Sequence, residues 1–513
     1  MNRLPGLPSC DLLIVGGGIN GAGIARDAAG RGLNVVLCEQ DDLAGHTSSA
    51  STKLIHGGLR YLEHREFALV RKSLQERETL LRLAPHIVRP LRFVMPHDAN
   101  QRPAWLIRTG LFLYDHLAGR QLLPGSARVA LARHPAGRGL KSGFRTGFTY
   151  SDGWVDDARL VVLNALDASE RGARILTRTR CRGIVREADH WLATLQQQDG
   201  STLQLAARAI VNATGPWAGD FASPTDPAAA RQGLRLVKGS HIVVRKLFDH
   251  PYAYVFQNPD RRILFAIPFL RDFTLIGTTD VDFSGDPATV AIDAGEERYL
   301  CEMASRYFDK PVTPAQIVWR YSGVRPLLDD ESRTASVVTR DYRLQFEPPG
   351  LLHVRGGKLT TYRRLAEEAM HILQPHLGHR APDWTAGQPL PGGDIDTPGT
   401  LSAVPDFDAF LARFQSHYRW LPDSLAERYC RQYGSRAARV IGDAVSVPQL
   451  GLELVPGLYE AEACYLIEHE WAQTSDDLLW RRTKLGLRCL QGDVERLTAW
   501  LDRRAATMTG VAA

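Results

Sequence analysis

The sequence predicts an α/β protein in which a Rossmann-like dinucleotide-binding domain carries a mixed β-sheet cap and is followed by a helical domain. Three observations predict it. Residues 13–39 read LIVGGGINGAGIARDAAGRGLNVVLCE, residues 236–325 hold short apolar runs spaced by turn residues, and residues 401–513 are rich in Leu, Ala, Arg and Trp at helical spacing.

The first run carries the most information. Leu13 to Val15 read as a buried strand, and Gly16, Gly18 and Gly21 stand at the spacing of the fingerprint G-x-G-x-x-G. Gly16 permits a sharp turn, Gly18 lets a pyrophosphate approach the backbone, and Gly21 lets the following helix pack on the sheet. Gly17 belongs to the same cofactor-binding turn. The helix then offers its free amides and the positive end of its dipole to the phosphates. After Gly21 come 17 residues and then Glu39, which ends the second strand where a carboxylate can bond both ribose hydroxyls. A 2′-phosphate would be repelled there. The fingerprint does not separate FAD from NAD, but a position near the N-terminus is typical of flavoproteins.

At 513 residues the chain exceeds one ordinary core. It is 44% hydrophobic and 23% charged with a net charge of +5, which suits anionic small ligands or an anionic membrane surface at least as well as nucleic acid. No Lys/Arg run or aromatic platform is present, so no nucleic-acid partner is expected. The seven cysteines show no C-x-x-C pair and read as reduced thiols, with no metal site expected. No run of 18 apolar residues could span a bilayer.

Along the chain, residues 1–95 form the first part of the nucleotide domain, with an amphipathic helix over 63–84. Residues 96–150 form a cap or membrane-facing insertion. Its stretch RPAWLIRTGLFLYDHLAGR (102–120) has two readings: a core-facing helix, or a basic, aromatic surface lying in a membrane interface. Residues 151–235 and 326–380 return to the nucleotide domain, flanking the cap sheet at 236–325. Residues 381–400, with their prolines and glycines, read as a linker to the helical domain at 401–513.

Several longer motifs occur in order: VGGGINGAGIARDAAGRG, SSASTKLIHGGLRYLEH, YSDGWVDDARL, VNATGPW, KGSHIVV, GTTD, YSGVRPL, GGKLTTYR and ACYLIEHEWAQTSDDLLWRRTKLGL. They resemble the FAD-dependent, aerobic respiratory glycerol-3-phosphate dehydrogenases over essentially the whole chain. The resemblance implies an FAD-binding domain of the glutathione-reductase/D-amino-acid-oxidase type. It also implies oxidation of sn-glycerol 3-phosphate to dihydroxyacetone phosphate by hydride transfer to FAD, with electrons passed to a membrane quinone. A homodimer in the cytoplasm, held peripherally on the cytoplasmic face of the inner membrane, is expected with it.

That reaction needs cations for a phosphate dianion and a group to take the C2 hydroxyl proton. His56, Arg60 and Tyr61 meet the first need, since Arg can grip phosphate through two parallel N–H bonds. If the segment is helical from Gly57 onward, His56 and Arg60 share a face. Arg325 is expected to orient substrate, and Lys358 to stabilise the reduced flavin and lower the pKa of the substrate C2 oxygen. His56 is the favoured general base because an ordinary imidazole is partly neutral at pH 7, with Lys358 as the alternative. Thr47, Ser48, Ser49 and Lys53 are expected along the FAD pyrophosphate and ribityl chain, and Gly356, Gly357 and Thr360 beside the isoalloxazine. His241 reads as structural and Asp280 as a turn acid. Arg355 stands where the family usually has an aromatic or aliphatic residue, which adds a cation near the flavin or at the sheet edge. Two other enzymes fit parts of the pattern: a glycerol-3-phosphate oxidase using O2, and a flavin-dependent amine or amino-acid oxidase.

Overall fold

The computed structural model describes residues 8–63, 65–98, 101–219, 221, 234–260, 262–328 and 341–508. The strand Ser9–Val15 lies in the middle of a sheet ordered Tyr342–Glu347, Leu351–Gly356, Thr202–Asn212, Ser9–Val15, Val35–Cys38, Arg174–Leu176. Its inner strands run parallel, with Val15 opposite both Asn212 and Cys38. Such strands are covered on both faces, which is why LLIV and VVLC read as continuous apolar runs. One face packs under the helices Ile19–Gly30, Asp157–Glu170 and Tyr362–Leu377, and the other under the hairpin Thr179–Arg186/Trp191–Gln197. Chain order reverses at the central strand, so the crossovers diverge and a crevice opens at the carboxyl ends.

A second sheet of 10 strands forms the cap. Leu234–Arg245 pairs antiparallel with Ile317–Leu328 along nearly its whole length, and Phe273–Gly277 lines its other edge. Val88–His97 and Thr146–Val155 also belong here, paired antiparallel from Val88 opposite Val155 to His97 opposite Thr146. The expected boundaries at 95 and 150 therefore cut through two cap strands. Local patterning could not place them, because their pairing closes only across the intervening excursion.

That excursion holds the helix Ala104–His116, which is apolar on a buried face and on an exposed one. Ile107, Leu111 and Tyr114 are buried in the cap core, while Trp105 and Phe112 are 69% and 57% exposed on the other side.

The C-terminal part has its own core, built by the helices Phe407–His417, Asp423–Tyr433, Glu460–Glu470 and Gln491–Met508. The stretch 381–400 is a packed strap rather than a loose linker. The Trp384 indole donates to the Asp27 carbonyl, Arg26 donates to the Thr385 and Gln388 carbonyls, and Leu390 is buried. Two of its glycines fit it to neighbouring backbone: a Cβ at Gly392 would stand 2.1 Å from the Tyr433 carbonyl oxygen, and one at Gly393 2.1 Å from that of Leu83.

Candidate active site

The crevice is a cavity of about 550 Å³ running from the glycine turn to the cap. At its first end Gly16 takes a φ of +114°, and a Cβ there would meet the Ala213 carbonyl oxygen at 2.4 Å. The Ile19 amide, in the first turn of the helix, donates to Ser48 Oγ at 3.0 Å, and no acid competes in that turn. Glu39 accepts from the Gly17 amide at 2.6 Å and the Asp41 amide at 2.9 Å. Burial raises its carboxyl above the usual range, against the pull of those two donors. Glu39, Asp41 and His46 bring ligand atoms within 4.8 Å of one another, and the His46 ring already bonds Asp41.

At the far end three segments converge. Gly58, in the left-handed region at φ +77°, separates His56 from the short turn Leu59–Leu62, so no helical face joins His56 to Arg60; both side chains line the cavity nonetheless. The His56 amide donates to Thr360 Oγ1 at 3.3 Å, which ties the His56 strand end to the segment after the glycines. Gly356 and Gly357 have φ of +74° and +103°, and the Gly356 carbonyl accepts from Asn20. Lys358 holds its ammonium 3.9 Å from the centre of the Tyr61 ring. Arg325 reaches in from the cap strand, donating to Asp280 and, at 2.8 Å, to Thr278 Oγ1. Gly239 makes room for it, since a Cβ there would stand 2.2 Å from the guanidinium.

Gly16, Gly18, Glu39, Thr47, Ser48, His56, Arg60, Tyr61, Arg325, Gly356, Gly357, Lys358 and Thr360 thus line one cavity. Gly17 and Gly21 lie outside its lining, packed against the Glu39 side chain and the Gly16 carbonyl. Ser49 and Lys53 fall elsewhere. Ser49 Oγ donates to the His46 carbonyl, beside a smaller cavity of about 210 Å³. Lys53, at φ +59°, turns its ammonium into the core, where Asp157 accepts it at 2.8 and 2.9 Å and the Ser49 carbonyl at 3.1 Å. Desolvation outweighs the pull of Asp157 and holds its ammonium below the usual lysine range, and the side chain braces the loop from behind. The hydrophilic run 46–53 could not show which of its polar residues turn inward. Asp280 is more than a turn acid, because it fixes the Arg325 guanidinium. His241 is buried, bonded to Thr52 at 2.9 Å and stacked on Tyr321, and burial beside Arg325 and Lys53 holds it well below the usual imidazole range. Arg355 is buried on its strand opposite Arg343, outside the cavity lining. Asn20, Glu63, Arg102 and Gln257 also line the cavity; the first three stand inside runs the sequence marks, GGGINGAG, LIHGGLRYLEH and RPAWLIRTG, but no spacing assigned those residues a role at the site.

The family description "FAD dependent oxidoreductase" matches residues 11–367, and "C-terminal domain of alpha-glycerophosphate oxidase" matches residues 384–511. The glycerol-3-phosphate dehydrogenase of Pseudomonas aeruginosa is 52% identical over 96% of this chain and 95% of its own. The chain belongs to the FAD-dependent glycerol-3-phosphate dehydrogenase family. The D-erythritol 1-phosphate dehydrogenase of Brucella abortus is 47% identical over 96% of this chain and 98% of its own. The structure of the Bacillus halodurans glycerol-3-phosphate dehydrogenase complexed with FAD superposes with a TM-score of 0.77 at 25% identity, covering 98% of this chain and 91% of that one. The family's cofactor fits the cavity: the turn has no room for a Cβ at Gly16, Gly17 or Gly21, the first residues of the helix Ile19–Gly30 line it, and Glu39 stands in its wall.

Proposed function

We propose that this FAD-dependent dehydrogenase oxidises sn-glycerol 3-phosphate to dihydroxyacetone phosphate and passes the electrons to a membrane quinone. The observation that carries the reading is that His56, Arg60, Arg325 and Lys358, from three segments, line one cavity that also contains the glycine turn. FAD, when bound, supplies the hydride acceptor. Arg60, Tyr61 and His56 hold the phosphate dianion. His56 takes the C2 hydroxyl proton, and Lys358 favours the alkoxide by placing positive charge beside it. Asp280 and Thr278 hold Arg325 in the orientation that positions the substrate carbon.

Among the described residues no helix is long and apolar enough to cross a membrane. Contact with the quinone's membrane is therefore assigned to the exposed face of Ala104–His116, where Trp105, Leu106, Phe112 and Leu113 stand out. The protein is proposed to work as a homodimer on the cytoplasmic face of the inner membrane. Anaerobic addition of glycerol 3-phosphate should bleach the flavin absorbance, and a quinone should restore it faster than O2. Rapid reoxidation by O2 with peroxide release would overturn the quinone assignment in favour of an oxidase. D-erythritol 1-phosphate in the same assay sets the chain length; faster reduction by that compound would reassign the substrate.

A further inference from the structure

We propose that Arg102 is an additional substrate-binding cation, held in reserve at the cavity mouth by Glu63 and released to the incoming phosphate. This rests on the reading of Arg60 and Tyr61 as the phosphate side of the cavity. Arg102 and Glu63 both line that cavity, and Arg102 Nη2 donates to Glu63 Oε2 at 2.7 Å. Glu63 directly follows the turn Leu59–Leu62 that carries Arg60 and Tyr61, so the pair joins the phosphate-side turn to the cap. On its other side the guanidinium lies 3.5 Å from Gln257 Oε1, and Gln257 is itself anchored by its contact with Met95 Sδ. The Arg102 carbonyl accepts from His97 at 2.8 Å, which fixes the backbone while leaving the long side chain to swing.

Two features make the pair exchangeable. Its side chains are 39% and 43% exposed, and an ion pair in that setting is weak because solvent screens it. A phosphate dianion offers a guanidinium more charge than a carboxylate does and accepts the same forked pair of bonds. Substrate arrival therefore replaces one weak pair with a stronger one, and Glu63 sets how readily Arg102 leaves. Arg102 is also joined through Pro103 to the helix Ala104–His116, so the mouth of the cavity adjoins the exposed apolar face.

The test uses the FAD-loaded, full-length protein. It combines KM and kcat for glycerol 3-phosphate with an equilibrium titration of inorganic phosphate followed by the flavin absorbance. Arg102→Gln should raise KM and weaken phosphate binding by about tenfold, the scale of one lost charge-assisted contact, with a smaller change in kcat. Glu63→Gln should do the opposite, tightening phosphate severalfold, and the double variant should behave as Arg102→Gln alone. If Glu63→Gln weakens phosphate as Arg102→Gln does, the pair is only a brace and the proposal falls. It falls equally if neither substitution moves KM or phosphate affinity. Arg60→Gln separates the two readings: a large loss there with no effect at Arg102 rejects the reserve cation alone, whereas no loss at Arg60 rejects the underlying phosphate site.

Discussion

A methyl group at residue 21 would stand 1.9 Å from the Gly16 carbonyl oxygen, inside the glycine turn at the cavity's first end. Backbone cannot yield as a side-chain tip can, so Gly21→Ala must push the helix Ile19–Gly30 off the sheet. Overpacking of this kind costs about 1–3 kcal/mol, and here it falls on the cofactor turn. The variant should purify largely without bound flavin, with its FAD dissociation constant raised at least about tenfold by fluorescence titration. Arg325 makes a different demand. Its guanidinium reaches Asp280, Thr278 Oγ1 and the Thr279 carbonyl together, a fan that a lysine ammonium cannot reproduce. Arg325→Lys should lower kcat by about 100-fold while the flavin stays bound, in line with loss of an oriented electrostatic group. These residues were legible because glycine spacing and cationic motifs declare their chemistry. Lys53 was not. Only the positive φ at that residue sends its charge inward to Asp157, and nothing in STKL announces that conformation.

The elements were easiest to read where one face is buried and hardest where partners are remote. The helix Phe67–Leu83 follows its apolar spacing, whereas the pairing of Val88–His97 with Thr146–Val155 depends on tertiary closure. The helix Ala104–His116 has a buried and an exposed apolar face, so periodicity alone could not choose between core and interface. Replacing Trp105 and Phe112 with Ser should leave the core intact and remove lipid attachment; co-sedimentation with anionic vesicles, alongside dye-linked activity, checks both. Another junction, where the strap at 381–400 meets the chain after Leu83, imposes a pH dependence. His86 is buried against Gly392 and Gly434, and desolvation, with Arg159, Arg436 and Arg431 nearby, pushes its imidazole down to about 3. An unfolded chain takes up that proton near 6.5 and the folded chain does not, so this contribution is complete above about pH 7 and is lost as pH falls toward 3. The slope is at most about 1.4 kcal/mol per pH unit. His86→Leu should flatten the acid limb between pH 6 and 4, measured as the urea midpoint at successive pH values, with little change at pH 8.

At the scale of the whole molecule, the C-terminal domain is tied to the cofactor loop by buried charge. Asp42, three residues beyond Glu39, accepts two bonds from Arg482 at 2.7 and 2.8 Å, and a third from Arg481. Arg159 pairs with Glu470, Arg178 with Asp477, and Lys484 with Asp156, each across the same junction. Sequence separations of 299 to 440 residues made these pairings invisible in the chain, although the helical domain itself was plain from composition. Such ties add little net stability when intact, but breaking one leaves a buried charge alone at a cost of about 3–5 kcal/mol. Arg482→Met removes two of the three bonds to Asp42 and leaves it with Arg481 alone, so it incurs part of that cost. Because the Ala44 amide in the same loop bonds the Gly17 carbonyl, the disturbance runs directly into the dinucleotide turn. The variant should lower Tm by several degrees and weaken FAD binding together, while Asp42→Asn/Arg482→Met should recover part of both, since no charge is then stranded. Both domains should unfold in one cooperative transition in the parent chain. Two separate transitions, or a loss of stability with FAD affinity untouched, would show that the C-terminal domain is an appendage and not a wall of the cofactor site.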